Sequence, residues 1–523
     1  MDSLESNDQL TIVNGSTKHR ISKQLIRKVP YFEKMLSLDL KESKENKVML
    51  NFDEKALKSF LNWLELGNIF IEMDYVINLC NMLDYFGIKD DLIQDCIKHF
   101  NDNFSIEHLS VVIPQVTSTS MLINSGTLNA FICRYFTKIV NTSVWLDYPI
   151  ETIEYICALN LMIHSEYQVF DVIMKWVKFK ADSRMCHLNR LLKLVRWCHL
   201  EDKELFRITE QVQSLNYQPS KLCSFLKRDC DLNCNRTQQE HFIEIYELNA
   251  TSLRIIISDN NFFPLIEQVV KLNNSMAIDV LHDEHVSDVF FDSGMEGIRI
   301  DWKRNEYRLL DRSQYETYFI KIHNCIQEKN LKYIIADSKC ATDKFRSHVV
   351  LLYEAREIFM LICDSLEPVC LPANAELIWK YFQTNKSNYF RSTILDDNIY
   401  MISPQDFFKF NIYTHEKTII RLERFKKGLP LGNLLIASRK ANDDRVILID
   451  KSTKDAFCFN VNTQQWSSIG RIIDCDRKSP VVQDSTHKLL TLTSTFISLD
   501  TISTYLKNNK GGRPKLPKKQ IIL

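Results

Sequence analysis

The chain has 523 residues, of which 45% are hydrophobic and 25% charged, a composition typical of globular proteins with several domains. Basic and acidic residues number 66 each, so no overall charge favours nucleic acid or a membrane surface as a partner. No apolar run is long enough to span a membrane, and the polar start MDSLESNDQL does not resemble a signal peptide. The 15 cysteines are scattered, as is usual for free thiols in a reducing compartment. We therefore expect a cytoplasmic protein that can also enter the nucleus.

The first hundred residues alternate between strand and helix patterns. Asn14-Gly15 separates two short apolar segments, which is the pattern of a two-residue hairpin turn. Beyond it, apolar periodicity predicts helices and strands in turn. The expected elements are a helix at Ser22–Met35, a polar loop at Ser43–Lys47, a strand at Val48–Phe52, a helix at Glu54–Leu66, a strand at Ile69–Ile71, and helices at Tyr75–Phe86 and Asp90–Phe100.

The order of residues around Tyr31-Phe32 resembles the BTB (POZ) domain over about residues 9–100. The aromatic pair is followed by an apolar pair, by Leu40-Lys41-Glu42 and then by a strand. In cullin-binding members of that family, an apolar-x-glutamate tripeptide lies against the ubiquitin-ligase scaffold. The resemblance therefore implies that Leu40, Lys41 and Glu42 bind a cullin-3-type scaffold. Members that form the usual dimer begin with a long amphipathic helix, and only about eight residues precede the first strand here. Homodimerisation through this domain is therefore left open.

The segment Phe104–Val116 begins another helical pattern. In the same family a helix pair that follows the BTB domain, the 3-box, extends the cullin-binding surface. By this resemblance, the further candidates for cullin binding are Phe104, Leu109, Val112 and Ile113.

From Thr127 to Leu215 the apolar pattern is helical throughout. Ser165-Glu166 is followed by valine-phenylalanine, tryptophan-valine and a leucine-rich helix ending in valine-arginine. This order resembles the BACK domain, which follows BTB and the 3-box in the kelch-like family.

After about residue 236 the apolar period changes from 3.6 to 2, which predicts that the helical and strand halves have separate cores. Paired strands recur at a spacing that fits propeller blades. The segment Asp455–Ile469 resembles the end of a kelch repeat, although the usual double glycine of such repeats is missing. The six expected pairs are Phe242–Tyr246 with Leu253–Ile257, Ile298–Trp302 with Tyr307–Leu310, Val349–Tyr353 with Ile358–Ile362, Ile399–Ile402 with Phe407–Ile412, Val446–Ile449 with Phe457–Val461, and Leu489–Leu492 with Phe496–Leu499.

Catalytic and cofactor motifs are missing from the sequence, so we expect a non-catalytic protein without a cofactor. The nearest approach to a metal cluster is Cys223, Cys230, Cys234 and His241. Structural zinc usually needs a tighter cysteine pair than this spacing gives, so linker thiols are the preferred interpretation. The C-terminal tail is basic and without acids, as expected for a segment that binds polyanions or directs nuclear import. Its cations include Lys510, Arg513, Lys515, Lys518 and Lys519.

Together these resemblances identify a member of the BTB-BACK-kelch (kelch-like) family with a diverged kelch propeller. The expected domains are an α/β BTB domain at 1–103, the 3-box and an all-α BACK domain at 104–235, an all-β six-bladed kelch-like propeller at 236–506 and a basic tail at 507–523. The implied function is recruitment of a protein client, held by the propeller, to a cullin-3-type ubiquitin ligase. A non-catalytic scaffold that binds the cytoskeleton, or a decoy that blocks the cullin, remains an alternative.

Overall fold

The computed structural model divides the chain into two compact units. Unit 1 comprises Met1–Phe131, Asp147–Ile156 and Asn324–Gln327, and unit 2 comprises Ile132–Leu146, Cys157–His323 and Glu328–Leu523. The residues that the structure describes are 8–88, 91–213, 235–291, 296–310, 325–326, 348–352, 358–362, 368–372, 391–395, 398–402, 406–411, 414, 416–420, 431–439, 444–471 and 488–509.

Unit 1 contains a three-stranded sheet made of β1 (Gln9–Asn14), β2 (Thr17–Ser22) and β3 (Lys47–Leu50). The central strand β1 is antiparallel to β2 and parallel to β3. The predicted hairpin turn is confirmed: Asn14 pairs with Thr17, and Gly15 takes a φ of +57°, a conformation that glycine adopts at little cost.

Helices make up the rest of unit 1 and continue into unit 2. Their bounds are α1 (Lys23–Ile26), α2 (Pro30–Ser37), α3 (Lys41–Glu45), α4 (Glu54–Leu66), α5 (Val76–Tyr85), α6 (Asp91–Asn103), α7 (Leu109–Val112), α8 (Ser125–Ile139), α9 (Ser143–Asp147), α10 (Ile150–Ala158), α11 (Glu166–Phe179), α12 (Ala181–Arg184), α13 (Leu188–Leu191) and α14 (Asp202–Gln213).

Two predictions in this region are wrong in detail. The single helix expected from Ser22 is broken, because Pro30 at the start of α2 holds Val29 in an extended conformation. The loop expected at Ser43–Lys47 is largely the short helix α3, which ends at Asn46 in the left-handed conformation. A polar sequence can therefore form one exposed helical turn that apolar periodicity does not reveal.

The helix α4 begins and ends as predicted. Asp53 caps it by accepting a 2.9 Å hydrogen bond from the Ala56 amide, and Gly67 ends it with a φ of +74°. The strand expected at Ile69–Ile71 is wrong, because the Phe70 carbonyl accepts hydrogen bonds from the Ser59 and Tyr75 hydroxyls instead of joining a sheet. Side-chain donors thus replace the strand partner.

The core of unit 1 is aromatic. Phe32, Phe60 and Phe86 are fully buried, and their ring centroids are about 5 Å apart: 5.0 Å for Phe32–Phe86 and 5.1 Å for Phe60–Phe86. The sheet adds Leu10 and Ile12 from β1, both also fully buried. These side chains hold α2, the element that precedes the predicted cullin-binding tripeptide.

In unit 2, the helix α11 carries the apolar stripe that the sequence predicted. Ser165 caps this helix: its hydroxyl oxygen accepts a hydrogen bond from the Tyr167 amide. In turn, the side-chain oxygen of Gln168 accepts a hydrogen bond from the Ser165 amide. Trp145 is fully buried and donates from Nε1 to the Val172 carbonyl at 3.1 Å. The cap and the buried indole fix both the start and the inner face of this helix.

From residue 240 onwards the described elements are mostly strands. The strands are β4 (Glu240–Asn249), β5 (Ser252–Ser258), β6 (Pro264–Leu272), β7 (Val286–Phe291), β8 (Glu296–Asp301), β9 (Glu306–Leu310), β10 (His348–Leu352), β11 (Ile358–Ile362), β12 (Pro368–Pro372), β13 (Arg391–Leu395), β14 (Asn398–Ile402), β15 (Phe407–Asn411), β16 (Lys417–Ile420), β17 (Leu434–Ser438), β18 (Arg445–Asp450), β19 (Asp455–Asn460), β20 (Gln465–Arg471) and β21 (Lys488–Phe496), followed by the helix α15 (Leu499–Asn509).

Five of the six predicted strand pairs are confirmed, as β4 with β5, β8 with β9, β10 with β11, β14 with β15, and β18 with β19. The sixth is wrong. Its first half lies in the strand β21, and its second half runs from the end of that strand into α15. β21 pairs with β4 rather than with a following strand.

The strands form a three-stranded sheet (β10–β12), two four-stranded antiparallel sheets (β13–β16 and β17–β20) and a seven-stranded sheet. In the seven-stranded sheet the order is β21-β4-β5-β6-β9-β8-β7, so that, among the described strands from residue 240 onwards, the last pairs with the first. Three described apolar clusters of the β-rich region consist only of residues from 242 onwards, as expected for separate helical and strand cores. The backbone of α11–α14 and the strands from β4 onwards nevertheless belong to one compact unit, and the expected domain bounds stay a prediction.

Candidate functional site

The predicted cullin-binding tripeptide lies between α2 and α3, on the surface of unit 1. Leu40 is the residue before α3 and is 41% exposed, while Leu38, two residues earlier, is 47% exposed. Lys41 and Glu42 form the first turn of α3 and are exposed as well. Two apolar side chains thus stand in solvent beside charged neighbours, as expected for an anchor at a protein interface.

Local hydrogen bonds hold this segment in place. The Ser43 hydroxyl lies 2.8 Å from the Leu38 carbonyl and 3.1 Å from the Leu40 carbonyl, and can donate to either. The Leu40 amide donates to the Leu38 carbonyl at 2.8 Å, and Lys44 lies 3.0 Å from the Asp39 carboxylate. The two leucines are therefore presented by a fixed turn.

Glu42 also affects an aromatic side chain of α2. Burial raises the pKa of Tyr31 to about 12, with further contributions from Tyr85 and from the negative charge of Glu42. The Glu42 carboxylate is thus close enough to Tyr31 for its field to act on the phenol.

The second set of predicted cullin-binding residues is mostly buried. Leu109 and Val112 have no exposed surface and Phe104 is 5% exposed, so these three cannot contact a partner in this conformation. Their burial weighs against the role that the resemblance to the 3-box implies for them, and cullin binding by this segment stays a prediction. Ile113 is half-buried and its neighbour Val111 is 36% exposed, so these two residues present the apolar surface of this segment.

Gln115 fixes the segment that carries those residues. Its amide nitrogen donates to the carbonyls of Met73 at 2.9 Å and Val111 at 2.7 Å, and its oxygen accepts from the Ile77 amide at 3.1 Å. The same short helical stretch is joined to the residues just before α10 by a hydrogen bond from the Tyr148 hydroxyl to the Ile106 carbonyl. It serves as a packed support within unit 1.

In unit 2, a buried arginine joins the helices to the β-rich region. Arg236 and Glu166 are both fully buried and form a bidentate ion pair, with Nε–Oε1 at 2.7 Å and Nη2–Oε2 at 2.9 Å. Arg236 also donates to the carbonyls of Cys157 and Leu159 at 2.7 Å and of Leu194 at 3.2 Å. These five hydrogen bonds match the five N–H donors of a guanidinium.

A second polar cluster joins α8 to the segment before β7. His282 Nε2 lies 3.2 Å from Asp288 Oδ2, and Asp288 is bound in a bidentate way by Arg299 at 2.8 and 2.9 Å. Arg134 of α8 lies 3.2 Å from His282 Nδ1. Burial, followed by the charge of Arg134, lowers the pKa of His282 to about 4, so that this imidazole is neutral at pH 7.

The weak metal candidate of the sequence, for which linker thiols are the preferred interpretation, is left untested, because only His241 of its four residues is described. His241 is buried, and burial together with the charge of Arg439 lowers its pKa to about 4. Cys223, Cys230 and Cys234 lie outside the described residues. Among the residues that the structure describes, no group of histidine, cysteine and acidic side chains could hold a metal ion.

Two further expectations concern cysteines and the tail. Several thiols are free, including the buried Cys80 and Cys157, but Cys198 is disulfide-bonded, so the expectation of free thiols throughout is wrong there.

The tail cations Lys510, Arg513, Lys515, Lys518 and Lys519 lie outside the described residues. No helix among the described residues is long and apolar enough to cross a membrane.

Residues 124–210 match the family described as BACK, BTB And C-terminal Kelch. The chain is also similar to Kelch-like protein 6 of Homo sapiens, with 24% identity over 171 residues, covering 32% of this chain and 27% of that protein. Kelch-like protein 17 of Homo sapiens matches with 22% identity over 172 residues, covering 32% and 26% of the two chains. The match thus spans about a quarter of the length of these curated relatives.

Among solved structures, apo AztD from Citrobacter koseri aligns with 50% of this chain and 99% of its own, at 8% identity and a TM-score of 0.21. That score is too low to indicate a shared fold.

Sequence reasoning found the Leu40 turn but not the role of Arg236. No periodic pattern marks a single arginine that follows a polar segment. The available signal was Glu166, but an acidic residue in the first turn of an amphipathic helix is common, and only its burial shows that it needs a partner of opposite sign. That burial implies that a basic partner exists but does not identify the residue.

Proposed function

The chain belongs to the BTB-BACK-kelch (kelch-like) family, and from this premise we propose that it is a non-catalytic adaptor that brings a protein client to a cullin-3-type ubiquitin ligase. Such an adaptor makes and breaks no bonds itself. It raises the local concentration of the client near the ligase by tethering.

The observation that carries the proposal is the exposure of Leu40 at the start of α3, with Lys41 and Glu42 beside it. An apolar anchor surrounded by charged residues fits the usual anatomy of a hot spot, in which the rim excludes water from the centre. The cullin-binding residues that we propose are Leu40, Lys41 and Glu42, together with Ile113. Phe104, Leu109 and Val112, which the resemblance also implies, are buried in this conformation.

We propose the domain bounds expected from the sequence: BTB at 1–103, 3-box and BACK at 104–235, propeller at 236–506 and basic tail at 507–523. The match of residues 124–210 to BACK supports the second of these domains, the 3-box and BACK domain. Pairing of β21 with β4 supports a propeller, because such pairing joins the two ends of a β-rich region. A sixth blade would need strands other than the sixth predicted pair.

The proposal is tested with the purified full-length chain and the N-terminal region of cullin-3. Isothermal titration should give a dissociation constant in the micromolar range or below. Absence of binding at that concentration would contradict the adaptor function and favour a scaffold that works without a ligase.

A second measurement separates an adaptor from a decoy. The full-length chain is expressed in cells with a proteasome inhibitor, and its co-purifying proteins are examined for ubiquitin. Ubiquitinated clients that disappear with a cullin-binding variant support the adaptor. Binding to the cullin without any dependent ubiquitination indicates a decoy.

A further inference from the structure

A cavity of about 650 Å³ lies between the sheets β13–β16 and β17–β20 of unit 2. This volume falls within the range of pockets that bind small ligands or single side chains. Tyr400 and Phe459 line it and are almost completely buried, while Thr418, Gln464 and Gln465 line it and are exposed. The cavity therefore has an aromatic interior and a polar rim.

One wall is a row of three side chains across the first sheet. In the strand register, Lys409 of β15 stands opposite Tyr400 of β14 and opposite Thr418 of β16. Residues that are directly opposite each other in antiparallel strands point to the same face. A lysine therefore lies between a tyrosine and a threonine on the face that lines the cavity.

The other wall is an aromatic pair of the second sheet. Phe459 of β19 stands opposite Trp466 of β20, and their ring centroids are 5.2 Å apart. Phe459 also lies 6.2 Å from the ring of Tyr400, so the aromatic surface continues across both sheets. A flat apolar group can therefore contact rings of both walls.

Lys409 is the charged residue among the described residues that line the cavity, and the others are uncharged. It forms no ion pair with any carboxylate in the described part of the chain. A half-buried ammonium beside apolar walls attracts an anion more strongly than one in bulk water. By contrast, Lys417 of the same sheet lies 4.7 Å from the Phe408 ring and does not line the cavity.

We propose that this cavity binds an aromatic carboxylate, with the ring among Tyr400, Phe459 and Trp466 and the carboxylate on the Lys409 ammonium. The group can come from a free small molecule or from an acidic residue next to an aromatic one in a protein segment. The proposal concerns the β-rich region alone and does not depend on binding to a cullin.

The test uses the full-length chain and three naphthalene probes of the same shape: 2-naphthoate, its neutral amide and 2-naphthylmethylamine. Affinity is measured by saturation-transfer NMR and isothermal titration. The carboxylate should bind at least about tenfold more tightly than the amide, and the amine should bind most weakly, because a charge-assisted hydrogen bond is stronger than a neutral one. Equal affinities of wild-type protein for the carboxylate and the amide would overturn the proposal.

Variants locate the site. Lys409→Met should remove the preference for the carboxylate, and Lys409→Arg should retain it. Lys417→Met, a change of the same kind outside the cavity, should leave it unaltered. A preference that survives in Lys409→Met would overturn the assignment. If Lys409→Met does not fold, the affinities of the wild-type protein for the carboxylate and the amide still decide whether the carboxylate is recognised.

A peptide arm distinguishes the two sources of the ligand. Acetyl-Asp-Trp amide and acetyl-Asn-Trp amide compete against bound 2-naphthoate. Displacement by the aspartate peptide alone assigns the cavity to a protein segment, whereas displacement by neither peptide assigns it to a free aromatic acid. Displacement by both peptides equally would show that the carboxylate is not recognised and would contradict the proposal.

Discussion

Arg236 and Glu166 form a bidentate ion pair in which neither side chain has exposed surface. Arg236 stands four residues before β4, and Glu166 is the first residue of α11. The pair therefore fixes the entry to the β-rich region against the helices of the same unit.

Removal of Arg236 should destabilise the protein strongly. Arg236→Ala leaves the Glu166 carboxylate buried without its cation and three carbonyls without donors, so we expect a loss of about 3–5 kcal/mol in unfolding free energy. Arg304→Ala is the matched control, since Arg304 is 71% exposed and should contribute less than about 1 kcal/mol. Urea unfolding followed by circular dichroism measures both. A loss below about 1 kcal/mol for Arg236→Ala would contradict this account.

The ion pair of Arg236 with Glu166 also predicts that the two fragments of a proteolytically cleaved chain stay associated. A specific protease site introduced between residues 214 and 234 allows cleavage after folding. Because Arg236 binds Glu166 and the carbonyls of Cys157, Leu159 and Leu194, the two fragments should elute together in gel filtration. In the background of Arg236→Ala they should separate more readily. Immediate separation of the wild-type fragments would show that the helices and strands are held independently.

The Leu40 turn should control binding to the cullin. Leu40→Asp removes an exposed anchor, so folding should be nearly unchanged while binding weakens by about 2–4 kcal/mol. Glu42→Lys should weaken it less, through lost charge complementarity. Met49→Asp is the control, because Met49 is 64% exposed on β3 but lies outside the turn. Titration calorimetry with the cullin-3 N-terminal region gives the three affinities. Normal binding by Leu40→Asp would move the contact to Val111 and Ile113.

His282 should make stability depend on pH below neutrality. Its pKa is lowered to about 4 in the folded protein and is about 6.5 in an unfolded chain. Between these values the unfolded chain binds the proton and the folded protein does not, so stability falls as the pH decreases from about 6.5 to 4. The loss from this histidine should reach about 3 kcal/mol at pH 4, since one pKa unit corresponds to about 1.4 kcal/mol.

Unfolding midpoints of wild-type protein and His282→Gln, measured from pH 7.5 to 4.5, test this prediction. The variant should lose part of the pH dependence, with the remainder coming from His241 and other groups. Equal slopes for wild-type protein and His282→Gln would show that the pKa of His282 is the same in the folded and the unfolded chain.

The sequence predicted local structure best where one residue type decides it. Asn14-Gly15 formed the expected turn, and Asp53 and Gly67 formed the expected helix ends. The exposure of Leu40 was also predictable, because the charged residues that surround it cannot accompany it into a core. In each case the physical cause lies within a few residues of the feature.

The rest depended on distant partners. Leu109 and Val112 show an apolar face in the sequence, but only the folded chain determines whether that face is covered. The sequence pattern predicts that β21 is one strand of a hairpin, yet its partner β4 lies more than 200 residues earlier in the chain. Lys409 lies within the predicted strand Phe407–Ile412, and only the neighbouring sheet shows that it lines a cavity. Sequence periodicity gives the face of an element but not what covers it.

The pairing of β21 with β4 has a consequence during translation. The edge of Glu240–Asn249 has no strand on that side until Lys488–Phe496 has left the ribosome, so the β-rich region stays incomplete while about 240 residues are made. An open edge of this kind can pair with other chains. A premature stop codon shortly before Lys488 should therefore give an aggregating product, although it removes none of the residues of the predicted cullin-binding turn.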